Sequence, residues 1–352
     1  MPAYLNAIGT AVPTHDIHHA FVEWATARVD DASPKLFARM AARSGIEHRW
    51  SVLPYGDNRG SPVGPGGFYA AGMPGTAARM QIYGEAAPIL GIAAVDALAA
   101  KTGLGDITHF VVASCTGFVA PGIDQIIAGR IGLSSSVERL LVGFMGCYAA
   151  IAALRCARHI VRSEPTARVL VLTVELSTLH LQDARAIEPL LAMLQFADGA
   201  AAALVTGEAQ GIELERGFAA ALPDSADLIR WDVTDRGFAM HLGGEVPQRI
   251  ATALSDPGFV ALATGGLPPD QLAWAVHAGG RSILDAVQKS LDLPDDALAA
   301  SRDVLRANGN MSSATLMFVL AAMLDAPMAE RGVALAFGPG LAAEGLAFRS
   351  VS

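Results

Sequence analysis

Cys147 lies in the run Gly143-Phe144-Met145-Gly146-Cys147-Tyr148-Ala149-Ala150, between an apolar stretch, Leu140 to Met145, and an alanine-rich one, Ala149 to Leu154. This pattern predicts a buried strand, a tight turn at glycine and a helix starting at the cysteine. A thiol placed there faces the unpaired N–H groups of a first helical turn, which favour the nucleophilic thiolate. Such a cysteine would carry an acyl group as a thioester. A cysteine in an apolar run also serves as a small packing residue, so the chemistry requires a base or cation and an oxyanion-stabilising donor beside it. His277 ends the apolar strand Trp274-Ala275-Val276, and Gly279-Gly280 follow closely, which lets a substrate approach the backbone. Asn310, between Gly309 and Met311-Ser312-Ser313, is placed to cap a helix ending near Leu324. All three would sit where a strand or loop meets a helix, the place where ligands gather in α/β proteins. His15, His18 and His19 cluster without matching carboxylates or cysteines, and read as surface or loop rather than a metal site.

The elements that must hold these residues alternate between short β-rich and alanine-rich helical runs, the pattern of an α/β protein. Strands are expected at Phe110–Ser114, Leu140–Phe144, Val169–Val174, Ala200–Val205, Leu272–His277 and Val333–Phe337. Helices are expected at Pro34–Ser44, Gly84–Thr102, Asp124–Gly132, Cys147–Val161, Arg281–Leu291, Ala297–Ala307 and Ser312–Leu324. Asp57–Gly75, rich in Gly and Pro, reads as a long loop. One α/β set closes near Gly207–Gly211 and a second begins, which divides the chain into halves at 1–208 and 209–352.

The chain of 352 residues is 52% hydrophobic and 17% charged, which suits a large core and a buried subunit interface. Its net charge of −9 argues against nucleic-acid binding, though a local basic patch can still hold phosphates. No stretch nears the roughly 18–20 unbroken apolar residues of a spanning helix, and the N-terminal residues lack a signal-peptide pattern. Three cysteines, Cys115, Cys147 and Cys156, give neither a disulfide framework nor paired zinc ligands. A reducing cytoplasm is the expected compartment.

These segments together resemble the type III polyketide synthases of bacterial type, relatives of chalcone synthase in the thiolase superfamily, over about Lys35 to Glu344. The nucleophile segment Gly143–Ala149, the histidine segment Trp274–Gly280 (with Ala278 where proline is common) and Gly309-Asn310-Met311-Ser312-Ser313-Ala314 carry the resemblance. Ala336-Phe337-Gly338-Pro339-Gly340-Leu341 and Phe196-Ala197-Asp198-Gly199-Ala200-Ala201 complete it. The resemblance implies a thiolase-like fold: two similar α/β halves in an αβαβα arrangement. It implies Cys147 as acyl carrier with His277 and Asn310 as its catalytic partners, and decarboxylative condensation of malonyl-coenzyme A onto an acyl-coenzyme A starter, with no cofactor and no metal. Phe196 and Met240 would guard the site mouth. Cys115, Ser177, His180, Trp231, Ser282 and Ser312 would shape the cavity, and Gly338, Pro339 and Gly340 would form its glycine loop. Lys35, Arg39 and Arg43, four residues apart and so on one helix face, would contact coenzyme A phosphates. A homodimer is implied, with a cis X–Pro bond at Ala120-Pro121, where Ala120 is too short to reach a partner's cavity. A single condensation of the β-ketoacyl-carrier-protein synthase III kind, a Cys/His/Asn hydrolase and a catalytically silent partner protein remain as alternatives.

Overall fold

The computed structural model describes residues 1–30, 34–53, 61–327 and 329–351, so residues 57–60 of the expected loop lie outside the described residues. In chain order, residues 4–206 form β1 (Tyr4–Ala11), β2 (His15–Asp16), α1 (His18–Arg28), α2 (Pro34–Ala42), β3 (Trp50–Ser51), α3 (Thr76–Ala99), β4 (His109–Ser114), α4 (Ile123–Arg130), β5 (Glu138–Gly143), α5 (Ala149–Ser163), β6 (Val169–Leu176), α6 (Ile187–Gln195) and β7 (Asp198–Thr206). Residues 211–351 form β8 (Gly211–Ala221), β9 (Ile229–Thr234), β10 (Gly237–Leu242), α7 (Val246–Leu254), α8 (Pro257–Thr264), β11 (Ala273–Val276), α9 (Arg281–Ser290), α10 (Ala299–Asn308), α11 (Ser313–Leu324), β12 (Arg331–Gly338) and β13 (Ala342–Val351).

The same strand pattern occurs twice. β4-β6-β7-β1 and β11-β12-β13-β8 each begin with a parallel pair and continue with two antiparallel pairs. β5 extends the first set and, among the described residues, has no counterpart in the second. The two sets join at β1 and β8 through just two residue pairs, Tyr4↔Glu213 and Leu5↔Ile212, which makes one nine-stranded sheet.

Helices fill three layers around this sheet. On the outer face of the first set, α3 and α4 bury Leu90, Leu98 and Ile127 against Phe110, Leu172 and Leu204. Between the two sets, α5 and α11 bury Ile151, Leu154, Met317 and Leu320 against Val171 and Ala203 on one side and Ala334 and Leu346 on the other. On the outer face of the second set, α7, α9 and α10 cover Trp274 and Leu335. The result is the αβαβα layering of a thiolase-like fold. The alanines 149, 150, 152 and 153 let α5 approach both strand sets closely, while Arg158 reaches out to the Leu214 and Glu215 carbonyls. α11, Ser313-Ala-Thr-Leu-Met-Phe-Val-Leu-Ala-Ala-Met-Leu, carries no charge and is buried from Ser313 to Ala321 except for the half-buried Phe318, as a central helix must be.

Two expectations change here. The Leu140 to Met145 stretch is not a buried strand: it belongs to the sheet-edge strand β5 and the turn after it, with Leu140 44% and Leu141 42% exposed. Its apolar character comes from a face left uncovered within the single chain. Among the described residues α3 is the straight helix long and apolar enough to cross a membrane. It lies on β1, β6 and β7 with Ala94, Val95 and Leu98 buried, in the manner of a core helix.

Candidate active site

The turn between β5 and α5 presents Cys147. Gly146 turns the chain at φ 80°, and a Cβ there would fall 2.4 Å from the Pro339 Cδ, so only glycine fits. The helix begins at Ala149, two residues later than expected, and Cys147 sits in the turn ahead of it. Its thiol is buried. Burial pushes it up to about 12; the Ser312 hydroxyl at 3.7 Å draws it down, and the Glu175 carboxylate raises it further. The helix start therefore does not by itself produce the expected thiolate: desolvation outweighs it.

The turn leading into α11 carries Asn310. Its backbone pairs with the Phe196 strand end: its N–H donates to Gln195 O at 2.8 Å, and its carbonyl accepts from Ala197 N at 2.9 Å. Its side-chain oxygen accepts from the Ser312 N–H at 2.8 Å, and its amide donates to Gly279 O at 3.2 Å. Asn310 is not the N-cap. Ser312 takes that position at φ 48°, and its hydroxyl is turned to Cys115 Sγ (3.1 Å) and Cys147 rather than to the helix. A strained non-glycine residue between two thiols is a mark of a working site.

His277 follows β11, held by its N–H to Leu335 O at 2.8 Å. Its ring is buried, both ring nitrogens lack a partner, and burial lowers its pKa to about 4. Through Gly279 it neighbours Asn310: Gly279 donates its N–H to His277 O and accepts from the Asn310 amide. Such an imidazole is neutral and free to receive a proton or donate one to a bound substrate.

Cys115, Cys147, Ser177, Phe196, Trp231, Met240, Ser312 and Pro339 line one cavity of about 260 Å³, and all eight were expected at the site. His180 lines an adjoining space. Its Nε2 bonds Thr116 O at 2.7 Å and its Nδ1 accepts from the Phe238 N–H at 3.0 Å, so burial holds it neutral, with its pKa lowered to about 3. Gly338 packs against the Tyr148 ring and Cys147 N, where a Cβ would not fit, and Gly340 turns at φ 76°. Ser282 does not join the site: it is exposed on the first turn of α9, because the buried face of that helix is carried by Ile283, Leu284 and Val287. Lys35, Arg39 and Arg43 are exposed on and just after α2, and none makes an ion pair among the described residues. Arg281, paired with Asp285 at 3.5 Å, donates to the Arg43 carbonyl and so brings a fourth guanidinium or ammonium group to that surface. The Ala120-Pro121 bond is cis. His18 is buried, not on the surface: it accepts from Arg49 Nε at 3.2 Å.

Sequence reading missed the buried charges around the site. Glu175, at the end of β6, accepts from Cys115 N (3.0 Å), Thr116 Oγ1 (2.8 Å), Ser313 Oγ (2.5 Å) and the Cys115 thiol (3.3 Å). Burial raises it to about 7 against those bonds. Asp198, also raised by burial to about 7, accepts from Val52 N, Thr178 N and Thr178 Oγ1. Arg49 donates to the Met193 and Phe196 carbonyls and so fixes the Phe196 segment. The available signal was an acid ending a mostly apolar run, Val169–Val174, where a charge must be hydrogen-bonded to be tolerated.

The Cys147 turn meets the Asn310–Ser312 turn between two layers of the fold, and His277 is joined to Asn310 through Gly279, while neither the His277 ring nor the Asn310 amide lines the cavity that holds the thiol; the layering is that of a thiolase-like enzyme. The profile described as chalcone and stilbene synthases, N-terminal domain, matches residues 1–209, and the one described as the C-terminal domain matches 213–352. The chain belongs to this family, the type III polyketide synthases, and is an acyltransferase. It is 33% identical over 262 residues to type III polyketide synthase C of Arabidopsis thaliana, covering 70% of this chain and 68% of that protein. It is 37% identical over 256 residues to the alpha-pyrone synthesis polyketide synthase-like Pks18 of Mycobacterium tuberculosis, covering 69% and 65%. The C-terminal type III polyketide synthase domain of Steely1 from Dictyostelium superposes with a TM-score of 0.90 over 100% of both chains at 25% identity.

Proposed function

We propose that the protein condenses malonyl-coenzyme A repeatedly onto an acyl-coenzyme A starter held on Cys147, and closes the product as a pyrone, resorcinol, phloroglucinol or chalcone-type ring. The observation that carries this reading is the meeting of the Cys147 turn with the Asn310–Ser312 turn, Sγ to Ser312 Oγ at 3.7 Å, with His277, a buried imidazole with two unpartnered nitrogens, joined to Asn310 through Gly279. Burial penalises a charge on Cys147 or on His277 alone. Passing the thiol proton to His277 creates both charges as a pair, which lowers that penalty and frees the nucleophile. The thiolate attacks the starter carbonyl, and coenzyme A leaves with a proton. Malonyl-coenzyme A then loses carbon dioxide. His277 and the Asn310 amide hydrogen not given to Gly279 donate to the enolate oxygen as its charge develops. The enolate carbon attacks the acyl thioester, and Cys147 leaves as thiolate, ready to receive the lengthened chain.

Lys35, Arg39 and Arg43, with Arg281, form a cationic surface suited to the coenzyme A phosphates. The exposed apolar edge β5, with Phe118 and Phe144 beside it, suits a homodimer contact. A reducing cytoplasm suits a reaction that needs Cys147 as a free thiol, and no step calls for a cofactor beyond the coenzyme A thioesters. The Mycobacterium relative named for alpha-pyrone synthesis makes a pyrone the first product to seek. Incubation with malonyl-coenzyme A and a starter panel, followed by product mass spectrometry, tests the reading. Several extensions are expected; one extension would instead indicate the β-ketoacyl synthase III mode, and none from folded protein would overturn the proposal.

A further inference from the structure

Trp231 and Met240, two walls of the thiol cavity, do not stand on the nine-stranded sheet. They face each other in register across β9 and β10, which among the described residues pair only with each other. A two-stranded ribbon on its own is marginally stable in water at best, so its anchors decide where both side chains stand. At its open end the Gly243 N–H donates to Leu228 O at 2.8 Å. In its middle, Trp231 Nε1 donates to Cys115 O at 3.0 Å and the Phe238 N–H donates to His180 Nδ1 at 3.0 Å. The far end, the turn Thr234-Asp235-Arg236-Gly237, carries little buried apolar surface: Val233 beside it is 54% exposed. That end is gripped by two residues of the first half. Thr76, the first residue of α3, donates its N–H to Asp235 O at 2.9 Å; its hydroxyl accepts from the Gly237 N–H at 2.8 Å and donates to Thr234 O. The Gln182 amide nitrogen donates to Arg236 O at 3.1 Å and Phe238 O at 3.2 Å, and ties both to His180 O at 3.1 Å.

Trp231 and Met240 each lie three residues from this turn, so a shift of the turn reaches both walls of the cavity along one short ribbon. Neither gripping residue touches the thiol: Thr76 lines neither cavity, and Gln182 borders only the adjoining space where His180 lies. We propose that Thr76 and Gln182 are positioning residues, which hold the Trp231–Met240 pair close over Cys147 and so set the width of acyl group that the thiol accepts. This inference rests on the polyketide synthase reading for its substrate class, acyl-coenzyme A thioesters.

Two readouts test this without any condensation. With 5-fluorotryptophan in place of the four tryptophans, fluorine NMR reports each ring, and Trp231→Phe assigns its signal. Thr76→Val keeps the side-chain shape and loses the hydroxyl; it should shift or broaden the Trp231 signal and leave the other three in place. In the same variant, loading of Cys147 by benzoyl-coenzyme A relative to acetyl-coenzyme A, timed by intact-protein mass spectrometry, should rise about fivefold, the worth of one modest hydrogen bond. Gln182→Leu should move both readouts the same way, and Thr76→Ser, which keeps the hydroxyl, should match the parent protein. A melting curve checks that each variant folds. Either readout unmoved in Thr76→Val overturns the proposal, as does a change confined to Gln182→Leu, which would be direct contact from the adjoining space. Loading that follows this pattern while no starter is ever extended counts against the condensation reading alone.

Discussion

The Cys147 turn and the Asn310 turn each lead into a central helix, α5 and α11, but their polar side chains are held in opposite ways. Asn310 has both backbone groups bonded to the Phe196 segment and both ends of its amide bonded within the protein. Cys147 Sγ has one long contact, to Ser312. The difference suits the roles proposed for them. A donor that stabilises developing charge gains from being fixed beforehand, whereas a thiol that must carry a growing chain has to stay unencumbered. Ser312 belongs to the fixed turn and touches the free one.

That contrast can be broken by substitution. Cys147→Ala should lower product formation by at least about 10³-fold and leave no acyl adduct by intact-protein mass spectrometry, since no other group supplies the nucleophile. Asn310→Ala should still load an acyl group on Cys147, yet extend it about 10²- to 10³-fold more slowly. Equal loss of loading in both variants would show that the two turns do not divide the work.

A smaller effect comes from the buried acid behind both turns. Burial raises Glu175 to about 7, above the ordinary carboxylate range, so the folded chain keeps a proton that the unfolded chain has released above about pH 4.5. Stability from this source is full at lower pH and falls as pH rises through about 7. Glu175→Gln should flatten the decline of the melting temperature between pH 5 and 8 by roughly 2–4 °C. Asp198, raised by the same cause, would keep part of the slope. An unchanged slope in Glu175→Gln would place the charge elsewhere.

The smallest effect concerns the residue between the turns. Ser312→Ala removes the hydroxyl that lowers the Cys147 pKa, and should slow acyl loading about fivefold, the worth of one modest hydrogen bond. Stopped-flow loading of a starter would measure it; no change would mean that the 3.7 Å contact has no part in the chemistry.

Cys147, His277 and Asn310 stood out in the sequence because each lies close to glycine where a strand or loop meets a helix; their proposed roles await the substitutions above. β4, β6 and β12 were legible as buried β-branched and leucine runs. β13 was missed because Ala342-Ala343-Glu344-Gly345 has little strand propensity, and its strand form is imposed by pairing on both sides with β8 and β12. The exposure of β5 was missed because an uncovered apolar edge and a buried strand have the same composition. The raised pKa values of Cys147 and Glu175 were missed because they depend on burial by the folded chain, opposed by hydrogen bonds from Ser312 and Ser313, which lie more than a hundred residues along the chain.

The two residue pairs joining β1 to β8 bear on how the chain is made. Asn6 of β1 donates to Glu208, 202 positions later, and the other neighbour of β1, β7, also emerges late. β1 therefore leaves the ribosome long before either flanking strand exists, and must wait with both edges unpaired. Contacts of such wide separation slow folding, and a waiting strand edge invites wrong partners. The seam that unites the two halves is thus also the point at which a nascent chain most needs protection.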